Sequence, residues 1–159
     1  MRGIFSVAVE NRSGVLSKIA GLFARRGFNI EQLTVGETDD PTVSSITIVS
    51  EGDDRTMEQI EKQLNKQIDV IKVRHLNALH SIEREGVIIK VNYTRSNRLD
   101  IMEICSVIGA RIVYMGTQSL VIEYFGEPEM VQSLLLNLRP MGIQEVARTG
   151  ELALQKEQK

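Results

Sequence analysis

Val9-Glu10-Asn11-Arg12-Ser13-Gly14-Val15-Leu16 is the stretch on which the fold turns. Ahead of it Ile4, Phe5, Val7 and Val9 read as a β-strand. Behind it Leu16, Ile19, Ala20 and Phe23 recur at i, i+3, i+4 and i+7, the period of one helix face. The chain must therefore turn sharply at Gly14, where glycine permits positive φ and lets a ligand approach the main chain closely. The first turn of the helix carries N–H groups without intrahelical partners, and the helix dipole adds partial positive charge there. A small carboxylate fits against the amides of Gly14, Val15 and Leu16. Taken alone, such a junction is read more economically as a turn with Asn11 and Ser13 capping a helix.

A second short stretch belongs with the first. Gly27-Phe28-Asn29-Ile30 ends the helix, with Arg25 and Arg26 in its last turn, where cations are favoured. Asn29 opens the next strand, and its amide offers an acceptor and two donors to the ammonium or carboxylate of an amino acid.

Working outward, strands are expected over residues 2–10, 29–37, 43–50 and 70–76, and helices over 14–26 and up to about Lys66. In the third strand Ile46 and Ile48 alternate against Ser45, Thr47 and Val49. In the second helix Met57, Ile60, Glu61 and Leu64 set the period. The order βαββαβ packs as an antiparallel sheet with both helices on one face, the ferredoxin-like plan. Periodicity lapses over residues 77–85, where His80, Glu83, Arg84 and Glu85 bring charge, and this reads as a linker.

The same order then returns. Val87, Ile89, Val91 and Tyr93 alternate; Ile101, Ile104, Cys105 and Ile108 mark a helix; Ile112 and Tyr114, then Leu120 to Phe125, mark strands. Gly126-Glu127-Pro128-Glu129 opens a helix carrying Val131, Leu134, Leu135 and Leu138, and 143–147 closes the pattern. The fold class is α+β with two ferredoxin-like domains, 1–76 and 86–159, and a polar, frayed end from about Leu152. The repeat departs from itself where it matters: Tyr93-Thr94-Arg95-Ser96-Asn97-Arg98-Leu99 has no glycine, and Arg111 stands where Asn29 did. The first domain is expected to sense a ligand and the second to contact something else.

Composition narrows the function. The 159 residues are 42% apolar and 25% charged, with a net charge of -2, which argues against a broad electrostatic footprint for nucleic acid or anionic membrane. Strand three has no aromatic residue of the kind RNA-binding sheets stack on bases. One cysteine, Cys105, fits a reducing compartment, and no stretch reaches the roughly 20 apolar residues of a membrane span, so a cytoplasmic location is expected. His75 and His80 have no metal-ligand spacing, and Asp39-Asp40 and Asp53-Asp54 read as a turn and a helix cap. Nucleophile elbow, P-loop and GxGxxG are all missing from the 159 residues.

The strings 9–16, Gly27-Phe28-Asn29-Ile30-Glu31-Gln32-Leu33-Thr34-Val35, Thr38-Asp39-Asp40-Pro41-Thr42, Glu58-Gln59-Ile60-Glu61-Lys62-Gln63-Leu64 and Glu145-Val146-Ala147-Arg148-Thr149-Gly150 resemble the small regulatory subunits of acetohydroxyacid synthase (acetolactate synthase). In that family the N-terminal half is an ACT domain. The resemblance implies a non-catalytic subunit that activates a large catalytic subunit and confers feedback inhibition by valine or another branched-chain amino acid. It implies effector binding between two ACT domains of a homodimer, by Asn11, Gly14, Val15 and Leu16 of one and Asn29 and Ile30 of the other. Thiamine diphosphate, FAD and magnesium are then expected on the catalytic partner and no cofactor on this chain. The alternatives are an ACT-type amino-acid sensor serving a different enzyme, and a small enzyme in its own right.

Overall fold

A computed structural model describes residues 1–157. Its first compact unit is Met1–Ile82 joined by the segment from Glu151 onward, and its second is Glu83–Gly150. In the first, β1 (Arg2–Glu10), α1 (Val15–Arg26), β2 (Asn29–Glu37), β3 (Val43–Glu51), α2 (Asp54–Asn65) and β4 (Val70–Leu76) follow in order. The sheet is ordered β2-β3-β1-β4 and its neighbouring strands are antiparallel. This is the ferredoxin-like arrangement expected from the hydrophobic pattern.

Period-two alternation sends Phe5, Val7 and Val9 of β1 and Ile46 and Ile48 of β3 to the helical side, where they meet α1 and α2 in one core. From α2 come Met57, Ile60 and Leu64, each at most 1% exposed. From α1 come Val15, Ile19, Leu22 and Phe23. This face is turned slightly from the expected one: Leu16 is exposed, and Val15 enters the core in its place. Gly14, in the left-handed conformation (φ 86°), is where the helix begins.

The plan repeats with β5 (Ser81–Asn92), α3 (Arg98–Ile108), β6 (Arg111–Met115), β7 (Ser119–Gly126), α4 (Pro128–Gly142) and β8 (Ile143–Gln155), ordered β6-β7-β5-β8, the second unit taking β5 from Glu83 and β8 as far as Gly150. Val87, Ile89, Val91, Leu120 and Ile122 pack on Ile101, Cys105, Val131, Leu134 and Leu138. Pro128 starts α4, where its missing N–H costs no hydrogen bond.

Two expectations are corrected. The charged stretch read as linker is ordered: Asn77 caps a short 3-10 turn (Ala78–His80), and β5 begins at Ser81. Glu85, placed in that linker for its charge, is buried, with Arg148 reaching it through Nε at 2.6 Å and Nη2 at 3.1 Å. The chain end read as frayed continues β8 to Gln155. There Ala153 packs with Ile4, Val49 and Leu76 on the helix-free face of the first sheet. Val49, placed by alternation among outward residues, is therefore fully buried.

Candidate functional site

The end of β1 and the start of α1 form an exposed corner. Asn11 N–H donates to Thr42 O at 2.8 Å and Arg12 N–H to Glu10 O at 2.9 Å, while Val15 N–H has only a long bond to Arg12 O at 3.4 Å. No side chain caps α1. The amides of Ser13, Gly14 and Leu16 meet no main-chain acceptor among the described residues. A Cβ built on Gly14 finds no atom within 4 Å, so this corner is open. Unpaired N–H donors at a helix start, open to solvent, are the kind of group that can hold a small anion.

Charge braces the corner from below. Asp69 receives Arg12 Nη2 at 2.9 Å and Lys18 Nζ at 3.1 Å, and its carbonyl accepts Glu10 N–H at 2.9 Å. Glu10 also pairs with Arg12. Asp69 thus ties the start of β4 to both sides of the turn. Asp69-Val70 is also one of the strings that resemble the acetohydroxyacid synthase small subunits, but sequence reasoning assigned Asp69 no role, since a lone aspartate just before a strand does not reveal its partners.

Asn11 is engaged within its own chain: Nδ2 donates to Glu37 Oε1 at 3.0 Å and to Pro41 O at 2.9 Å. The turn that supplies Pro41 is fixed by Asp40, whose carboxylate accepts from Thr42 N at 2.9 Å and Thr42 Oγ1 at 2.7 Å. The Thr42 hydroxyl and amide hold the Asp40 carboxyl below its ordinary value.

Asn11, Gly14, Val15 and Leu16 are brought together; Asn29 and Ile30 are not brought to them. In register Asn29 lies opposite Glu51, and Glu51 opposite Arg2; Glu37 lies opposite Ser44, and Ser44 opposite Val9. Asn29 thus starts β2 at the far end of the sheet from Gly14, about 25 Å away at the usual strand rise. Its side chain is exposed, and its carbonyl accepts the Ser50 hydroxyl. β2 is an edge strand whose register shifts between Ile30 and Gln32.

The corresponding corner of the second unit is closed. Asn97 Oδ1 accepts Thr94 N–H at 2.8 Å, Asn97 Nδ2 donates to Asn92 O at 3.1 Å, and the Thr94 and Ser96 hydroxyls lie 2.9 Å apart. Arg111, in the place of Asn29, pairs with Glu123 at 3.6 Å. A groove of about 610 Å³ in this unit is lined by Gly86, Ile88, Glu123, Phe125, Arg148 and Thr149 among others. Polar groups on its wall are already engaged: Gly86 N–H donates to Thr149 Oγ1 at 2.9 Å, and Arg148 donates to Glu85 beside the groove.

His75 stacks on Phe5 with ring centroids 4.6 Å apart. Among the described residues no group of three or more His, Cys, Asp or Glu could hold a metal ion, and no helix is long and apolar enough to cross a membrane.

Fold and corner together define a protein of the ACT class: two ferredoxin-like halves, the first with an open strand-glycine-helix turn. Residues 5–72 match the AHAS small subunit-like ACT domain, and residues 84–157 match the model described as the small subunit of acetolactate synthase. The chain belongs to the family of acetolactate synthase small, regulatory subunits. It is 46% identical to a probable acetolactate synthase small subunit of Methanothermobacter thermautotrophicus, covering 96% of this chain and 92% of that one. It is 44% identical to a chloroplastic small subunit of Arabidopsis thaliana, covering 98% of this chain and 32% of the plant one. The crystal structure of the acetolactate synthase small subunit from Thermotoga maritima superposes with a TM-score of 0.93 at 35% identity, covering 100% and 99%.

Proposed function

We propose that the chain is a non-catalytic, cytoplasmic subunit that activates the large catalytic subunit of acetolactate synthase and makes it sensitive to valine or another branched-chain amino acid. Thiamine diphosphate, FAD and magnesium belong, on this reading, to the catalytic partner. The observation that carries it is the open corner at Gly14, where the amides of Ser13, Gly14 and Leu16 meet no main-chain acceptor among the described residues and that of Val15 has only a long bond to Arg12 O. An amino-acid carboxylate supplies that acceptor, and exposed Leu16 beside it offers apolar surface to an aliphatic side chain.

The site is completed by a second copy. Unpaired edges extend sheets across neighbours, and β2 is an edge. Antiparallel pairing of β2 with β2 about Leu33 sets Asn29 of one copy level with Glu37 of the other. Glu37 is the residue whose carboxylate holds Asn11. Two such sites follow from the two-fold symmetry, each with Asn11, Gly14, Val15 and Leu16 from one chain and Asn29 and Ile30 from the other.

A ligand spanning two copies favours one arrangement of the dimer, and its differential affinity limits the shift it produces. Valine, leucine and isoleucine share a head group and differ by methylene count or placement, worth about 1–3 kcal/mol in an apolar pocket. The deciding experiment mixes the chain with the catalytic subunit and follows acetolactate formation with and without valine. Stimulation by the chain that valine reverses supports the reading; acetolactate formation indifferent to the chain rejects it.

A further inference from the structure

The last described strand residues do something the duplicated fold does not require. Glu151 begins a segment that leaves the second unit at Gly150, a residue at φ 76°, and docks on the first sheet. Its N–H donates to Gln32 Oε1 at 2.9 Å, and its carboxylate pairs with Arg2, which also lies 3.5 Å from Glu31. Ala153 fills the patch of Ile4, Val49 and Leu76, Arg74 donates to Gln155 Oε1 at 3.1 Å, and Lys156 N–H donates to His80 O at 2.6 Å.

Two details make this more than a packed chain end. Glu151 is 3% exposed, yet its Oε2 has no hydrogen-bond partner. A buried carboxylate satisfied through one oxygen is held less firmly than a fully bonded one. And of the residues that grip it, Glu31 acting through Arg2 lies within the register shift in β2 and Gln32 acting directly bounds it, immediately after Asn29 and Ile30. The grip on Glu151 therefore depends on the local course of the strand that the effector would touch.

We propose that residues 151–155 form a latch that effector binding tightens: an amino acid seated on Asn29 and Ile30 orders the β2 shift, fixes Gln32 and Arg2 on Glu151, and so restrains β8. The inference rests on the effector site of the preceding section. By linkage the latch strengthens effector binding by the same factor that the effector strengthens the latch. Gln32 and Glu151 are relay residues and touch no ligand.

The test is amide hydrogen exchange of the full-length chain with and without saturating valine, beside calorimetry. In the natural chain valine slows exchange at residues 151–155 by about fivefold or more, the lower end of usual coupling factors. In Gln32→Ala valine still binds, more weakly, but no longer slows those amides, and the complex with the catalytic subunit stays uninhibited at valine concentrations that saturate the variant. Glu151→Gln, which keeps the shape and removes the charge facing Arg2, raises exchange of the same segment before any ligand is added. Bound valine that leaves residues 151–155 unchanged in the natural chain overturns the latch while sparing the effector site. A natural chain that binds none of valine, leucine and isoleucine overturns both.

Discussion

Asn11 and Asn29 stand at opposite ends of one sheet, Asn11 following β1 nine positions after Arg2, the residue level with Asn29, although only α1 separates the corner of the first from the second along the chain. At that separation one small molecule cannot touch both within a single copy. A site using both is shared between chains, and that relationship can be tested directly.

Gly14→Asp should abolish valine binding and leave the fold standing. Aspartate tolerates the left-handed conformation better than most residues, and the corner holds no atom to clash with it, so the effect is its negative charge at the anion seat. Calorimetry should give a flat trace for Gly14→Asp and a measurable one for the uncharged Gly14→Asn. Undiminished binding by the aspartate variant contradicts the seat.

Asn29→Ala should weaken valine binding by about 1–3 kcal/mol, the cost of leaving a buried polar group unpaired. Because the two residues come from different copies, mixing the Asn29→Ala and Gly14→Asp chains should rebuild sites that neither has alone. Random reassortment of a two-fold dimer leaves about a quarter of all sites with both residues intact. A mixture that binds no better than its parents would mean that each site lies within one chain.

Arg148→Met should destabilise the second half by about 3–5 kcal/mol, because it strands the buried carboxylate of Glu85 without its partner. Adding Glu85→Leu should recover most of that loss. Denaturant melts of the single and double variants give the comparison, and a single variant as stable as its parent would show that Glu85 is satisfied by other means.

Asp53 caps α2, accepting Thr56 N–H at 2.8 Å and Thr56 Oγ1 at 2.7 Å, and the Thr56 hydroxyl and amide hold its carboxyl below its ordinary value. A folded pKa below the unfolded one means stability that is present above the unfolded value and lost as pH falls through the folded one. Thermal melts should find Asp53→Ala less stable than the natural chain at neutral pH, with the gap closing in acid. A gap that does not change with pH would assign the effect to something other than the cap's charge.

Cys105 is buried in the second core, and burial pushes its thiol above its ordinary value. It should react with a thiol reagent slowly in the folded chain and at once in denaturant. Fast labelling of the native protein would mean that α3 opens readily.

Much of the architecture was legible because its signals are local. Gly14 and Gly27 bracket α1, alternating β-branched residues trace the strands, and Asp53 and Pro128 start the helices they were read to start. What escaped depends on partners far along the chain. Glu85 looks like a linker charge until Arg148, 63 residues later, is brought against it. Val49 looks outward until Ala153 covers it, and Asp69 gains its meaning only from Arg12 and Lys18. Of the candidate site, the corner residues were readable from the turn they build. The distance to Asn29 was not, because strand register is fixed by pairing and not by sequence spacing.

Both halves stop their first helix with a left-handed glycine, Gly27 at φ 69° and Gly109 at φ 85°, and differ two positions later, where one has Asn29 and the other Arg111. The helix stop is a demand of the backbone, and the residue that follows answers to chemistry alone. A duplicated module of this kind can have its recognition surface rewritten without endangering its framework, which makes the Arg111 corner a natural place to engineer a second, independent specificity.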